Sequence, residues 1–275
     1  MKIGGTRRMT LAAIAIAGAV AFVALGLTPA QLVPGRGGLD VLSSFFARAL
    51  SPAVAYESSV PEGTAPIVVK AIQASLRTVT FAVAGMSLAL LLGVLFAIPS
   101  SQSWWQGGRP RRALGTAAWG ASRTVIMLMR SVHELLWAVL FLAAFGLTPF
   151  SAVIAIAIPY GGTLAKIFSE MIDEAPRNSA EALRAAGASP LQIFFFGLVP
   201  RALPDMSAYA FYRFECAVRA SAVLGFFGFE TLGYYIRGSF DNLHYGEVWT
   251  YLYALVLLVV AIDVWSGALR RRFVA

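Results

Sequence analysis

Five ionisable side chains, His133, Glu134, Arg213, Glu215 and Arg219, stand in stretches whose neighbours are mostly apolar or small. A charge inside a membrane is costly unless it meets another charge or a watery cavity. Groups of this kind border the path of a polar solute as a gate network, or pair with one another and fix helix packing; on the residues alone both readings stay open. Glu215 and Arg219 are four apart in the acidic-before-basic order that pairs well on a helix. His133 and Glu134 are adjacent, so a helix would point them about 100° apart. Arg213 and Arg219 suit attraction of an oxyanion held weakly enough to pass on. Covalent and metal chemistry find no support. His133 and His244 are the only histidines and neither has zinc spacing. Ser221 lacks a base and an orienting partner, so no catalytic residue is expected. Cys216 is the single cysteine, which excludes an internal disulfide. No glycine-rich loop ends in Lys-Ser or Lys-Thr, so nucleotide chemistry has no seat here.

These side chains need membrane helices to carry them. Of 275 residues, 58% are hydrophobic and 13% charged, with a mean hydropathy of +0.71. Soluble domains carry about 25% charged residues. Apolar runs of about 20 residues cross the hydrocarbon core as helices, because only internally hydrogen-bonded backbone is tolerated there. The expected fold class is all-α and polytopic. A net charge of +8 raises nucleic acid as a partner, but the cations gather at Arg7-Arg8, at Arg109 with Arg111-Arg112, and at Arg270-Arg271-Arg272. Each cluster flanks an apolar run, where positive charge retains a loop in the cytoplasm and attracts anionic lipid. Membrane lipid is the implied partner, and nucleic acid is not.

Six crossings follow. Lys2, Arg7 and Arg8 precede an apolar run from Thr10 to about Leu27, read as a retained span rather than a cleaved signal because no Ala-x-Ala site follows cleanly. Residues 28–65 form an outside connection, with a short interfacial helix around Phe45, Phe46, Ala49 and Leu50. The second span runs from Pro66 to about Ile98, with Lys70 and Arg77 near its outer end. Residues 99–122 are an inner basic loop that holds Trp104 and Trp105 at headgroup level. Span three covers Arg123 to Phe145, with His133 and Glu134 inside it. Span four covers Phe150 to Phe168, bent or closely packed at Pro159 and Gly161-Gly162. Span five opens between Leu191 and Leu203 and runs toward Val218, residues 225–247 lie outside and are partly re-entrant, and span six is Val248 to Leu269. Two regions result: residues 1–65, a first span with its connection, and residues 66–275, the core. Both termini are expected in the cytoplasm.

Between spans four and five, residues 170–190 are charged and inside. Ala182 to Ala186 favour a helix, Gly187 ends it, and Pro190 opens the next. Glu181 and Arg184 share one face, and Asp173 and Glu174 are expected to meet the exposed amides of this helix. Such a segment is a short rigid lever or an ordinary solvated loop. Farther on, Phe226, Phe227 and Phe229 surround Gly225 and Gly228 and are candidates for a hydrophobic outer gate, with lipid or helix packing as the alternative.

The lever resembles the conserved cytoplasmic loop of ABC importer permeases, whose pattern is Glu-Ala-Ala, three residues, Gly, nine residues, Ile-x-Leu-Pro. Glu181, Ala182, Gly187 and Pro200 stand at those spacings, while Leu183 replaces the second alanine, Gly197 the isoleucine and Val199 the leucine. The run Arg130 to Ala138, and Tyr212 to Glu215 followed by Val218 to Gly225, resemble the phosphonate importer permeases in particular. Where that family has Gly-Ala-Gly-Gly-Ile-Gly, this chain has Phe227 to Gly233. The resemblance implies a type I ABC importer permease fold in a bacterial inner membrane. It implies the membrane subunit of an importer for phosphonate or a related phosphorus oxyanion, phosphate or phosphite. Glu181, Ala182, Arg184, Gly187 and Pro190 would couple it to two ATPase subunits, which carry the ATP and Mg, with no cofactor in this chain. A second permease copy, forming a homodimer, and an extracytoplasmic substrate-binding protein complete the implied partners. The residues alone also admit an ion-gradient-driven secondary transporter, or a non-catalytic membrane subunit of another complex.

Overall fold

The computed structural model describes residues 3–28, 31, 35–105 and 109–274, and those residues form helices joined by turns, with no strand among them. The chain divides into two units, residues 1–50 and 51–275. The first holds α1 (Ile3–Ala24), an apolar helix long enough to cross a bilayer, and α2 (Arg36–Ala47), which continues as a 3-10 turn to Leu50. The helix expected around Phe45 is thus present, and it begins well before the aromatic pair.

The second unit is built on α3 (Ile67–Ser100) and α6 (Pro149–Glu174). A Cβ on Gly85 would stand 2.9 Å from Ile156 Cβ, and one on Gly93 would stand 2.7 Å from Leu164 Cβ. Ser101 meets Asp173 beyond the same ends of both helices. Sequence offset is conserved along these pairs, so α3 and α6 run parallel with glycine notches taking the neighbour's branched side chains. Gly161 does the same against Leu92 and Ala89. Lipid supplies no hydrophobic drive between helices, so close backbone approach through small residues holds such a pair together. This is the close approach expected at Gly161-Gly162.

Parallel neighbours oblige the chain between them to cross back. The return is made by α4 (Arg109–Ser131) and α5 (Glu134–Phe145), which meet at 89°. Here the expectation of one straight span over Arg123–Phe145 is corrected. Val132 and His133 interrupt the helix, because His133 adopts extended backbone (φ −67°, ψ 147°) and caps α5 through its own side chain. Most of the expected inner loop 99–122 is also helical, since α4 already starts at Arg109.

After α6 come α7 (Asn178–Ala185), the single turn α8 (Pro190–Gln192), a π-helical stretch Ile193–Leu198, and α9 (Val199–Val223). A 3-10 turn to Phe227, α10 (Leu232–Asp241) and α11 (Tyr245–Val274) complete the unit. Helices α1, α3, α6 and α11 are each long and apolar enough to cross a membrane, and the number reaches six where each of the two bent pairs counts as one span. The buried core is rich in alanine, including Ala82, Ala89, Ala152, Ala155 and Ala217, which are all fully covered. It follows the α3–α6–α9 contacts from end to end.

Candidate functional site

The lever is a helix of 8 residues, Asn178–Ala185, with Glu181 in its first turn and Arg184 in its last. These placements complement the helix dipole at both ends. Gly187 sits at φ +81° and reverses the chain, its N–H donating to Arg184 O at 3.1 Å. The left-handed backbone explains glycine here. Ser189 then closes a capping box with Gln192, and Pro190 occupies the first position of α8. Glu181, Ala182, Arg184, Gly187 and Pro190 therefore share one short helix-turn-helix, with Glu181, Ala182, Gly187 and Pro190 exposed and Arg184 also solvent-facing. Its inner side rests on the π-helical stretch, where Ala180 and Leu183 lie against Gly197.

Asp173 does not cap α7 as expected. Its carboxylate accepts from Ser101 Oγ at 2.6 Å, Gln102 N at 2.9 Å and Ser103 N at 2.9 Å. Arg177 donates to Ser103 Oγ and to Asp173 O, and no side chain caps the α7 N-terminus. The result ties the base of the lever to the turn after α3. Trp104 lies edge-on to Phe194 and Phe195 at 5.0 and 5.7 Å. The segment bearing α7 thus contacts the turn after α3 through Asp173 and Arg177, and the π-helical stretch before α9 through Ala180 and Leu183.

Deeper in the bundle the polar side chains gather on a residue that sequence reading passed over. Tyr160 of α6 is 4% exposed. The Arg213 guanidinium lies 4.2 Å from its ring centroid, and Glu134, Cys216 and Arg219 are its other electrostatic neighbours. Arg130 and Arg213 both act on Tyr209, one turn before Arg213. Arg213 Nε is buried without a hydrogen-bond partner. A tyrosine directly after Pro159, in a run of small residues, was the available signal.

His133 and Glu134 do come together, correcting the expectation that a helix keeps them apart. His133 Nδ1 accepts from Leu135 N at 3.3 Å, and its Nε2 faces Glu134 Oε2 at 3.5 Å. The expected Glu215–Arg219 pair is also replaced. Glu215, 7% exposed, pairs with Arg270 of α11 at 3.1 Å, while Arg219 donates to Cys216 Sγ at 3.4 Å. The first arginine of the basic cluster near the C-terminus therefore takes part in packing. Two arginines, Arg213 and Arg219, and one carboxylate, Glu134, act on Tyr160, while Arg130 acts with Arg213 on Tyr209.

At the opposite end from α7, the turn 224–231 is fastened to α3. Ser221 Oγ donates to Thr78 O at 2.8 Å, Leu232 N to Thr78 Oγ1 at 3.1 Å, and Arg77 pairs with Glu230. A Cβ on Gly225 would fall 2.1 Å from Tyr234 N, so backbone meets backbone there. The three candidate gate phenylalanines do not converge. Phe229 is buried against Phe81 with ring centroids 6.0 Å apart, Phe227 packs on the core, and Phe226 faces outward. Beside this turn, burial and the Glu247 carboxylate push the Tyr56 phenol above its ordinary pKa, consistent with its donation to Ala65 O at 2.9 Å.

Known proteins resemble this chain in sequence and in fold. The phosphite transport system permease protein PtxC of Stutzerimonas stutzeri is 30% identical over 196 residues, covering 71% of this chain and 68% of that one. The phosphate-import permease protein PhnE of Mycolicibacterium smegmatis is 31% identical over 187 residues, 68% of this chain and 34% of its own length. Among solved structures, an amino acid ABC transporter matches with a TM-score of 0.61 at 17% identity, over 74% of this chain and 94% of that one, a likeness of fold. The family of binding-protein-dependent transport system inner membrane components matches residues 69–275. This chain belongs to that family: it is a membrane-spanning permease of the type I fold, a transport component rather than an enzyme, in importers whose ATP hydrolysis resides in separate subunits.

Proposed function

We propose that this permease conducts a phosphorus oxyanion, phosphite, phosphate or phosphonate, as one of two identical copies that bracket the pathway. The observation that carries this reading is the buried Arg213 guanidinium 4.2 Å from the Tyr160 ring, with Arg219 beside Tyr160, Arg130 beside the neighbouring Tyr209, and Glu134 as the one carboxylate acting on Tyr160. A cation-lined, partly watery cluster lowers the cost of an anion at mid-membrane without requiring tight binding. The names of the relatives, a phosphite and a phosphate permease, point the same way.

In this reading α7 is cytoplasmic and is the surface on which the ATPase subunits press, through Glu181, Ala182, Arg184, Gly187 and Pro190. ATP and Mg act in that partner. Its closure moves α7, and the Asp173 and Gly197 contacts pass the movement to α3 and α9. His133, Glu134, Arg213, Glu215 and Arg219 border or brace the path, and the turn bearing Phe226, Phe227 and Phe229 is the outer gate. Both termini face the cytoplasm of a bacterial cell, and an extracytoplasmic binding protein delivers the substrate from the far side of the plasma membrane. Reconstitution with the ATPase and binding protein tests it: ATP-dependent uptake should be competed by phosphite, phosphate or phosphonate and not by sulfate or amino acids. Uptake driven by an ion gradient in this chain alone would overturn it in favour of a secondary transporter.

A further inference from the structure

At the end of the bundle away from α7, a cavity of about 520 Å³ is lined by Tyr56, Lys70, Tyr235, Arg237, His244 and Glu247, among others. Its charges are almost all spoken for. Glu247, 5% exposed, accepts from Glu57 N at 2.8 Å and Ser239 Oγ at 2.9 Å, with His244 Nδ1 at 3.7 Å. Arg237 lies 3.5 Å from Asp241 and donates to Phe226 O. Lys70 is different. Its ammonium sits 5.3 Å from the Tyr235 ring centroid and 5.9 Å from that of Tyr56, and no carboxylate among the described residues lies within 4.0 Å. Aromatic faces attract a cation but accept none of its three N–H donors in the way an anionic oxygen does.

A second cation stands inward of Lys70 on α3, beyond the residues that line the cavity. Arg77 follows Lys70 by seven residues, hence on the same face of α3 and about 10 Å deeper. Arg77 pairs with Glu230, and both side chains are more than half exposed. An exposed pair exchanges partners at little cost. Helix α3 therefore presents two cations in line, the outer one without a carboxylate and the inner one on a replaceable carboxylate.

We infer that this cavity is the receiving site for the phosphorus oxyanion, with Lys70 as its first cation and Arg77 as its second, from which the oxyanion displaces Glu230. The ligand class rests on the function proposed above. A multi-oxygen anion suits the place, since one oxygen can meet the Lys70 ammonium while others remain for the Tyr235 hydroxyl and water.

The test uses the solubilised permease–ATPase complex without binding protein, and follows its thermal unfolding in inorganic phosphate against chloride at equal ionic strength. Phosphate well above its dissociation constant should raise the wild-type midpoint by about 2 °C or more. Lys70→Gln should abolish the shift and Lys70→Arg should restore it, with copurification of the ATPase certifying that each variant folds. No shift in the wild type, or an equal shift in Lys70→Gln, overturns the site. A Lys70→Gln defect confined to association with the binding protein also overturns it, and makes the cavity a protein-docking surface. The uptake competition fails independently if the importer carries another class of solute, so the two results separate an error in substrate from an error in site.

Discussion

The Cδ1 atom of Leu183 lies 3.2 Å from where a Cβ on Gly197 would stand. These are two of the positions at which the chain departs from the importer-loop pattern, a leucine in place of alanine and a glycine in place of isoleucine. In three dimensions the departures meet. Bulk has moved from the π-helical stretch to α7, and the contact between them is kept. Ala180 Cα, 3.3 Å from the same point, fixes how near α7 can sit.

Gly197→Ile alone should overfill this contact. Overpacking costs about 1–3 kcal/mol, and uptake coupled to ATP should fall roughly tenfold. Adding Leu183→Ala should return most of the loss, because the pair then has the sizes of the general pattern. Uptake in proteoliposomes by the wild type, both single variants and the double variant gives the coupling term directly. Strict additivity would mean that the two side chains do not act on one another.

Gly187 sets the angle between α7 and α8. Its φ of +81° costs a non-glycine residue roughly 1–2 kcal/mol. Proline cannot adopt it and also loses the N–H that donates to Arg184 O. Coupled uptake should therefore fall in the order wild type, Gly187→Ala, Gly187→Pro. Open space around the residue leaves side-chain volume out of the comparison. Membrane insertion, measured by the amount of folded protein recovered, should stay the same across the three.

Much of this was legible in the sequence, for a physical reason: bilayer spans and lever turns are written in local chemistry. Long apolar runs, Gly187 and Pro190 carry their structural meaning within a few residues. Pairings across the bundle do not. Glu215 has a suitable partner four residues away in Arg219, yet α11 brings Arg270 to it, and only tertiary packing decides between two arginines. Asp173 looked like a cap for the helix ahead of it and instead binds three groups of the turn after α3. The break at His133 was hidden because the apolar runs Val125–Met129 and Leu135–Leu142 read as one span with a short polar interruption, and nothing local marks the 89° bend between them.

The Glu215–Arg270 pair yields a stability prediction. Removing one member of a buried pair leaves the other charge uncompensated, at about 3–5 kcal/mol. Glu215 is the buried member, whereas Arg270 is partly exposed and also lies 4.0 Å from Asp263, so Arg270→Met, which strands the carboxylate, should sharply lower the unfolding midpoint of the purified protein. Adding Glu215→Ala should recover much of the loss, since no charge is then stranded. If Arg219 were the true partner, Arg270→Met would cost little and an Arg219 change would carry the loss.

Tyr160 separates the two readings of the polar cluster. Its ring supports Arg213 from 4.2 Å in a buried setting, where a cation–π contact contributes up to about 2 kcal/mol. Tyr160→Phe keeps the ring and should leave stability nearly unchanged; Tyr160→Leu removes it and should free Arg213 to seek another partner, with Glu134 the carboxylate that shares Tyr160 with it. A cluster that only braces the helices would answer with a lower unfolding midpoint and a proportionate loss of every transported solute. A cluster that borders the pathway would answer unevenly: capture of Arg213 by Glu134 removes a cation from the path, so uptake of a doubly charged oxyanion should fall several-fold more than that of a singly charged one. The ratio of phosphate uptake above its second ionisation to that below it, compared between Tyr160→Phe and Tyr160→Leu, reads that difference. An unchanged ratio in both variants would assign Tyr160 and Arg213 to packing alone.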